Sequence, residues 1–314
     1  MTVRLGLLTT AQINRVVLGA RGDDAPFDVV AVGSRDRARA EAYAREWEIE
    51  RAHGSYDGLL ADQGVDAVYI ALPNALHHEW TMRALAAGKH VLCEKPYTRR
   101  PEQVEEAWDE AERRGLVLTE GFMWRHGAQT RLLLDLLPQI GEVQAIRATF
   151  AFRLRDSPNI RRDPDTGGGS IFDLGCYCIS GARLLAGREP DRVFGEAFVE
   201  NGIDERFTGT LRFGDAVATF HSSFTFEHQQ LEAIGTGGTL SVPRPFTHPW
   251  GVVTVCGEDV RVDPGNPYRE ELDVFCAAVR GDQPPLIARE EMRGQARTLD
   301  ALLRSAETNT AIEI

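Results

Sequence analysis

The chain has 314 residues, which at about 150 residues per domain predicts two domains with sizeable cores. Apolar residues make up 43% and charged residues 26%, the composition of an ordinary globular protein. Lys and Arg number 35 against 47 Asp and Glu, which gives a formal net charge of −12. This negative balance disfavours nucleic acid or an anionic membrane as the main partner, because both bind through positive charge.

The cysteines and the first residues predict a cytoplasmic protein. The five cysteines are scattered along the chain, and their odd number does not suggest a disulfide framework. Cys176 and Cys178 have no second pair of ligands nearby in sequence, so no metal site is expected. The apolar run in residues 1–8 is too short for a signal peptide, and no stretch reaches the roughly 18 apolar residues of a membrane span.

The first third of the chain alternates short apolar runs with helical patterns. Apolar runs without polar alternation are typical of strands buried on both faces, and their alternation with helices predicts an α/β fold with a doubly wound parallel sheet. The predicted strands are residues 3–8, 28–32, 67–72, 90–93 and 116–119, and the predicted helices are residues 38–47, 56–61, 76–87 and 101–114.

After about residue 121 the pattern changes to successive strands with helices outside them. This order predicts an α+β domain on a large antiparallel sheet. The predicted domains are therefore residues 1–120 and 121–314, with a hinge near residues 119–124. The predicted strands are residues 143–154, 193–199, 206–213, 216–226, 229–235 and 251–255, and the predicted helices are residues 129–137, 170–185, 270–279 and 290–306.

The turn after the first strand stands where a dinucleotide-binding fold carries its glycine-rich fingerprint. Thr9, Ala11 and Asn14 occupy the three glycine positions, so the fingerprint itself is absent. An ordinary strand-to-helix connection is one interpretation of this turn. The other is a pyrophosphate site, because backbone N–H groups at the start of a helix bind anions; its residues would be Thr9, Thr10, Ala11, Gln12 and Ile13.

The end of the second predicted strand favours NADP over NAD. An Asp or Glu at this position would hydrogen-bond a ribose 2′-hydroxyl and repel a 2′-phosphate. The sequence instead has Ser34 and Arg35, with Arg39 one helical turn onward, and a hydroxyl with guanidinium groups suits a phosphate. A solvated, arginine-rich helix start is the alternative interpretation, and the neighbouring Asp36 weakens the case for NADP.

Two further segments carry side chains suited to catalysis. One predicted strand delivers Glu94 and Lys95 to its carboxyl end, where open α/β sheets bind their ligands. In the other segment three glycines, residues 167–169, precede a helix on which Asp173 and Tyr177 are four residues apart and share a face. The alternatives are a structural lysine, a packed tyrosine, and an acid that complements the helix dipole.

Together these segments resemble the glucose-fructose oxidoreductase / inositol dehydrogenase family (Gfo/Idh/MocA), in its dihydrodiol and D-xylose dehydrogenase branch. The resemblance follows the chain in order and extends to residues 268–279, although Thr9 and Ala11 depart from the family's glycine pattern. It implies an NADP-binding Rossmann domain followed by a domain for substrate binding and oligomerisation. The matching segments are residues 73–78 (PNALHH), 88–96 (GKHVLCEKP), 120–125 (EGFMWR) and 167–177 (GGGSIFDLGCY).

The resemblance implies a catalytic role for Lys95, Asp173 and Tyr177. Lys95 matches the lysine of the family's EKP motif, and the other two match its D-x-x-x-[HY] helix. Tyrosine rather than histidine at residue 177 favours the aldose and dihydrodiol branch. A free tyrosine has a pKa of about 10, which a nearby lysine ammonium would lower. We therefore expect Tyr177 to be the acid/base, Lys95 its electrostatic partner, and Asp173 a ligand of a substrate hydroxyl or of the lysine.

The leading hypothesis is an NADP-dependent dehydrogenase or reductase for a sugar or a related cyclic polyol. A ketoreductase for nucleotide-linked sugars and a non-catalytic NADP-binding regulator are the alternatives. The resemblance also implies a homodimer or homotetramer, with Phe224, Phe246 and Trp250 in its interface or in the core. Further cofactor contacts are expected from Leu72, Pro73, Asn74, His77 and Glu94, and substrate contacts from Arg125 and Arg162.

Overall fold

The structure, a computed structural model, describes residues 2–155 and 159–314, which divide into two compact units. One unit comprises Met1–Met123 with Tyr268–Arg293, and the other comprises Trp124–Pro267 with Gly294–Ile314. Residues 268–293, which the sequence pattern left in the second domain, thus group with the first unit. The division of the chain into a cofactor domain and a substrate domain stays a prediction.

The first unit contains a parallel sheet of six strands in the order β3-β2-β1-β4-β5-β6. This is the order of a dinucleotide-binding Rossmann fold, and the predicted α/β doubly wound sheet is confirmed. The short β3 was missed, because its three residues are half-buried and form no apolar run. The strands are β1 (Val3–Leu7), β2 (Phe27–Gly33), β3 (Arg51–His53), β4 (Ala67–Ile70), β5 (His90–Glu94) and β6 (Leu118–Gly121).

Helices connect these strands, and one helix from late in the chain completes the core. Leu272, Phe275 and Cys276 of that late helix are almost fully buried in one apolar cluster with Leu5 and Leu7 of β1. Burying these side chains is the physical reason why the segment belongs to the first unit. The helices are α1 (Asn14–Gly19), α2 (Arg37–Glu46), α3 (Tyr56–Leu60), α4 (His77–Ala86), α5 (Pro101–Arg114) and, after those of the second unit, α8 (Pro267–Arg280).

The second unit contains a nine-stranded sheet in the order β14-β13-β12-β11-β7-β10-β9-β8-β15. Neighbouring strands are antiparallel except for the central pair of β7 and β10, so the predicted large antiparallel sheet is confirmed. The strands are β7 (Val143–Ala151), β8 (Arg192–Glu200), β9 (Ile203–Phe213), β10 (Ala216–Ser223), β11 (His228–Gly235), β12 (Gly238–Val242), β13 (Val252–Val255), β14 (Glu258–Arg261) and β15 (Ile312–Glu313).

Three helices accompany this sheet: α6 (Ala128–Leu136), α7 (Cys176–Ala186) and most of α9 (Arg289–Thr308), whose first residues belong to the first unit. Helix α7 is the central one, and nearly all its side chains are buried. It packs closely on the sheet, since a Cβ atom added at Gly181 would lie 3.1 Å from Leu231 of β11. The predicted helix over residues 170–185 begins instead with a π-helical turn, Ile171–Gly175, ahead of α7. In the described parts of the chain, no helix combines the length and apolar character needed to cross a bilayer.

Candidate active site

The turn after β1 offers a row of unused backbone donors. Within residues 2–155 and 159–314, the N–H groups of residues 9–13 have no protein acceptor, whereas the N–H of Asn14 donates to Ala11 O at 3.2 Å. The buried Asn14, at the third glycine position, closes the turn by donating from Nδ2 to Thr9 O at 2.6 Å. Free donors ahead of a helix are suited to an anion, so the turn fits a pyrophosphate without the glycines.

Two exposed arginines, Arg35 and Arg39, follow the end of β2. Asp36 is engaged as the N-cap of α2, where it accepts from Arg39 N at 3.2 Å, and its own N–H donates to Ser34 Oγ at 3.2 Å. Arg37 pairs with Glu41 of the same helix. Arg35 and Arg39 are exposed, and no acceptor for their guanidinium groups lies among the residues that the structure describes.

His77 ties the carboxyl ends of β4 and β5 together. It is fully buried, and its two ring nitrogens face main-chain carbonyls: Nε2 lies 2.8 Å from Leu72 O and Nδ1 lies 2.9 Å from Pro96 O. Burial lowers the pKa of His77, and the nearby positive charge of Lys95 lowers it further. The contacts therefore anchor residues 72 and 96, which flank the expected cofactor residues Pro73, Asn74 and Lys95.

A tyrosine from β4 holds the glutamate that precedes Lys95. The buried Tyr69 donates its hydroxyl hydrogen to Glu94 Oε1, and the N–H of Lys95 donates to Glu94 Oε2 at 3.3 Å. Burial raises the pKa of Tyr69 well above its ordinary value, as does the negative charge of Glu94. Tyr69 thus remains a hydrogen donor to the carboxylate. Lys95 itself is half-buried, held between Glu94 on one side and the anchored Pro96 on the other.

In the second unit, Asp173 lies within the π-helical turn and Tyr177 lies in the first turn of α7. The α-helical spacing that the sequence suggested for this pair is therefore interrupted, and turns of this kind are frequent at functional sites. Asp173 Oδ2 accepts a hydrogen bond from Arg161 Nε at 2.6 Å. The carboxylate of Asp173 is consequently fixed by a cation that the sequence pattern did not single out.

The ring of Tyr177 is packed among aromatic side chains. It meets Phe150 edge-on at 5.2 Å between ring centres and lies 5.6 Å from Phe246, which in turn meets Trp124 at 5.4 Å. Such a setting holds the ring in one orientation. Phe246 is fully buried and Phe224 is 1% exposed, so both side chains belong to the core of this unit. Trp250, in contrast, is 60% exposed.

The two arginines expected near a substrate have different surroundings. Arg162 makes a two-pronged ion pair with Glu205, with Nε 2.6 Å from Oε1 and Nη2 3.2 Å from Oε2. Arg125 is half-buried beside the ring of Trp124 and donates to Ser180 Oγ at 3.4 Å. The pairing of Arg162 resembles that of a structural anchor, and its role toward a substrate stays a prediction.

The structure groups the expected residues by unit. The turn after β1, the arginines after β2, and the Leu72–His77 and Glu94–Lys95 segments stand at the carboxyl edge of the first sheet, where open α/β sheets bind their ligands. Asp173, Tyr177, Arg125 and Arg162 belong to the second unit. The sequence pattern missed Tyr69, Arg161 and the buried Asp204, which accepts from Ser170 and Ile171.

The described residues include no group of three or more His, Cys, Asp or Glu side chains that could hold a metal ion. Cys176 and Cys178, the closely spaced pair, are both buried as free thiols. Burial raises the pKa of the Cys178 thiol well above its ordinary value.

The strand order, the donor-rich turn and the lysine at the end of β5 define an NAD(P)-binding Rossmann domain. Two family models match in order: "Oxidoreductase family, NAD-binding Rossmann fold" over residues 5–122, and "GFO/IDH/MocA C-terminal domain" over residues 138–241. The chain belongs to the Gfo/Idh/MocA family of oxidoreductases. The resemblance noted in the sequence is thereby confirmed.

Named relatives agree with this family. The chain is 39% identical to D-xylose 1-dehydrogenase (NADP(+)) 2 of Haloferax volcanii over 98% of its own length and 99% of that protein. It is 31% identical to trans-1,2-dihydrobenzene-1,2-diol dehydrogenase of Xenopus tropicalis over 75% of its length and 72% of that protein. A solved 3-ketoreductase from Actinomadura kijaniata, in complex with NADP and TDP-benzene, superposes with a TM-score of 0.91 at 31% identity, covering 97% of this chain and 98% of that one. The protein is thus an enzyme of the oxidoreductase class.

Proposed function

We propose that this enzyme transfers a hydride between NADP(H) and a CH–OH or C=O group of a sugar or related cyclic polyol, in the manner of a D-xylose or dihydrodiol dehydrogenase. The observation that carries the proposal is the pair of exposed arginines beside Ser34 at the end of β2, Arg35 and Arg39, whose guanidinium groups have no acceptor among the described residues. They stand where a 2′-phosphate has to be recognised. The similarity along nearly the whole chain to an NADP-dependent xylose dehydrogenase supports it.

The cofactor residues divide into three groups along the first sheet. The N–H groups of residues 9–13 are proposed to hold the pyrophosphate, since they lack acceptors within the described parts of the chain. Ser34, Arg35 and Arg39 are proposed to hold the 2′-phosphate through charge-assisted hydrogen bonds. The segments anchored by His77, residues 72–74 and 94–95, would then stand beside the nicotinamide.

When bound, NADP supplies the hydride acceptor. Oxidation of a secondary alcohol also needs a base for the hydroxyl proton, and we assign this role to Tyr177 Oη. Following the resemblance to the family, we assign Lys95 as the electrostatic partner of Tyr177, because an ammonium group favours the phenolate form of a tyrosine. Asp173, held by Arg161, is proposed to orient a substrate hydroxyl or Lys95. For reduction of a ketone the same groups act in reverse.

The test is the absorbance of NADPH with purified enzyme, NADP or NAD, and a panel of aldoses, inositols and trans-dihydrodiols. We expect absorbance to rise with an aldose and NADP. A flat panel alongside tight NADPH binding would contradict the dehydrogenase proposal. Equal rates with NAD and NADP would contradict the assignment of Ser34, Arg35 and Arg39.

A second candidate is reduction of a keto group on a nucleotide-linked sugar. It is favoured by the similarity to the 3-ketoreductase, which covers 97% of this chain. Tyr177 would then donate its proton to the ketone oxygen. Consumption of NADPH with a dTDP-linked 3-keto sugar, together with no turnover of free aldoses, would select this function.

We also propose that the enzyme is a homodimer or homotetramer. Large apolar side chains are exposed along β8, with Phe198 at 52% and Val199 at 61%, and exposed apolar surface on a sheet favours self-association. Light scattering coupled to size exclusion would give the mass in solution. A mass of 34.8 kDa, that of one chain, would contradict this proposal.

A further inference from the structure

Two adjacent acidic residues at the start of β9 are both buried, with Asp204 8% and Glu205 7% exposed. Adjacent side chains of a regular strand point to opposite faces. Here the pairing with β8 skips Glu205, since Phe198 is opposite Arg206 and the next residue of β8, Val199, is opposite Asp204. A bulge of this kind redirects side chains. It accounts for two neighbouring carboxylates that both bind residues of the segment 162–171.

Asp204 binds the first residues of the π-helical turn. Its Oδ2 accepts from Ser170 Oγ and from the N–H of Ile171, each at 2.7 Å. Ser170 is fully buried and its hydroxyl also lies 3.0 Å from Ser222 Oγ. A Cβ atom at Gly169 would lie 2.2 Å from Asp204 Oδ1, and Gly169 has φ +122°, so only glycine lets the carboxylate approach this closely.

These bonds replace a missing local cap. The first N–H groups of a helix have no acceptor inside the helix and normally take one from a neighbouring side chain. Ser170, at the cap position, makes no such bond. Asp204, which is 33 residues further along the chain than Ile171, provides the acceptor instead. Asp173 lies two residues beyond Ile171, and its N–H donates to Gly169 O at 3.1 Å.

Glu205 fixes the opposite end of the same segment. It binds Arg162 through both carboxylate oxygens. The preceding residue, Arg161, donates to the Asp173 carboxylate at 2.6 Å. The two acids of the bulge therefore hold the turn that carries Asp173 and Arg162, the neighbour in sequence of the arginine that binds the Asp173 side chain.

We infer that Asp204 is a positioning residue of the active site, which sets the place of Asp173 and Tyr177 by holding the start of the π-helical turn. The inference rests on the proposed function for the roles of those two residues. Asp204 itself touches neither the sugar nor the cofactor in this scheme. Asp204 affects the reaction through its hydrogen bonds with Ser170 and Ile171, which position the turn.

The test compares Asp204→Ala and Asp204→Asn with Asp215→Asn, which removes an exposed carboxylate from the turn between β9 and β10. A misplacement of about 1 Å costs about 100-fold in rate, so we expect kcat to fall about 100-fold in Asp204→Ala. Asparagine keeps an oxygen that accepts from Ile171, and we expect a loss of only about 10-fold. The KM for NADP should stay within about twofold, because the expected cofactor residues belong to the other unit. The control should match the wild type.

Hydrogen exchange of the peptide covering residues 169–177 tests the positioning without any substrate. We expect exchange at least about 10-fold faster in Asp204→Ala and unchanged exchange in Asp215→Asn and Tyr177→Phe. If Asp204→Ala does not fold, Asp204→Asn and Ser170→Ala provide the same comparison. Unchanged exchange, or a kcat within about twofold of the wild type, would overturn the inference. A wild type without activity on any sugar would refute the proposed function alone, and the exchange result would then decide the role of Asp204.

Discussion

The buried carboxylate of Asp204 makes the stability of the second unit depend on pH in a direction that can be worked out. Burial raises the pKa of Asp204 to about 6 from an ordinary value of 3.8, although the hydrogen bonds from Ser170 and Ile171 act against the rise. The folded state therefore binds a proton on the Asp204 carboxylate more tightly than the unfolded state does. The stability that this proton contributes is complete below pH 3.8 and is lost as the pH rises through about 6.

The size of the effect follows from the difference between the two pKa values. A difference of about 2 corresponds to about 3 kcal/mol at 25 °C. Asp204→Asn has the same shape and no proton to gain or lose at this site. We therefore expect the free energy of unfolding of the wild type, relative to Asp204→Asn, to fall by about 2–3 kcal/mol between pH 4 and pH 7.

The assay is urea unfolding of both proteins at several pH values in this range, followed by signals from the second unit. All other titrating groups are common to the two proteins, so their effects cancel in the difference. Asp215→Asn is the matched control, which removes an exposed carboxylate from the same unit. A difference between the wild type and Asp204→Asn that does not change with pH would refute the reasoning about burial.

Three substitutions test the remaining assignments. Tyr177→Phe should lower turnover about 100-fold or more and leave NADPH binding intact, since it removes only the acid/base hydroxyl; unchanged turnover would exclude Tyr177 from the mechanism. Arg35→Ala should weaken NADP about 10- to 100-fold and NAD by less than about twofold, because one charge-assisted bond to the phosphate is lost. Arg45→Ala, in the last turn of α2, is the control, and an equal loss for both cofactors would contradict the 2′-phosphate assignment. Gly169→Ala should destabilise the second unit by about 3 kcal/mol in urea unfolding, from a positive φ and a collision with Asp204; a wild-type midpoint would contradict it.

The strands that the sequence predicted are those whose apolar pattern reflects their burial. In β5, residues 91–93 are completely buried, and the same residues form the apolar run from which the strand was predicted. Strands β14 and β15 lie at the two edges of the large sheet, and their few residues are mostly exposed and polar. Such strands form because the adjacent strand offers hydrogen-bonding groups, and this cannot be predicted from the local sequence pattern. Strand β12 follows β11 through the two-residue turn 236–237, and its Gly238–Val242 run was missed beside that turn.

In the candidate site, too, a local sequence pattern predicts some residues and not others. Lys95, Asp173 and Tyr177 were found because each stands in a compact motif of neighbouring residues. Asp204 reaches Ile171 across 33 residues through a bulge, and a bulge depends on the partner strand rather than on the residues that form it. Arg161 and Arg162 are adjacent and chemically identical, and only the fold shows that one binds Asp173 while the other binds Glu205.

The late helix α8 has a consequence for how the protein is made. Leu272, Phe275 and Cys276 fill the core beside β1, and Thr119 Oγ1 donates to Ile287 O at 2.9 Å. A ribosome that has just completed β6 has therefore not yet synthesised part of the core on which the first sheet packs. The nascent sheet stays incompletely covered until almost the whole second unit has been translated. A fragment cut after residue 123 would leave apolar surface on the sheet exposed, so a soluble cofactor-binding fragment requires residues 268–293 to be joined back to it.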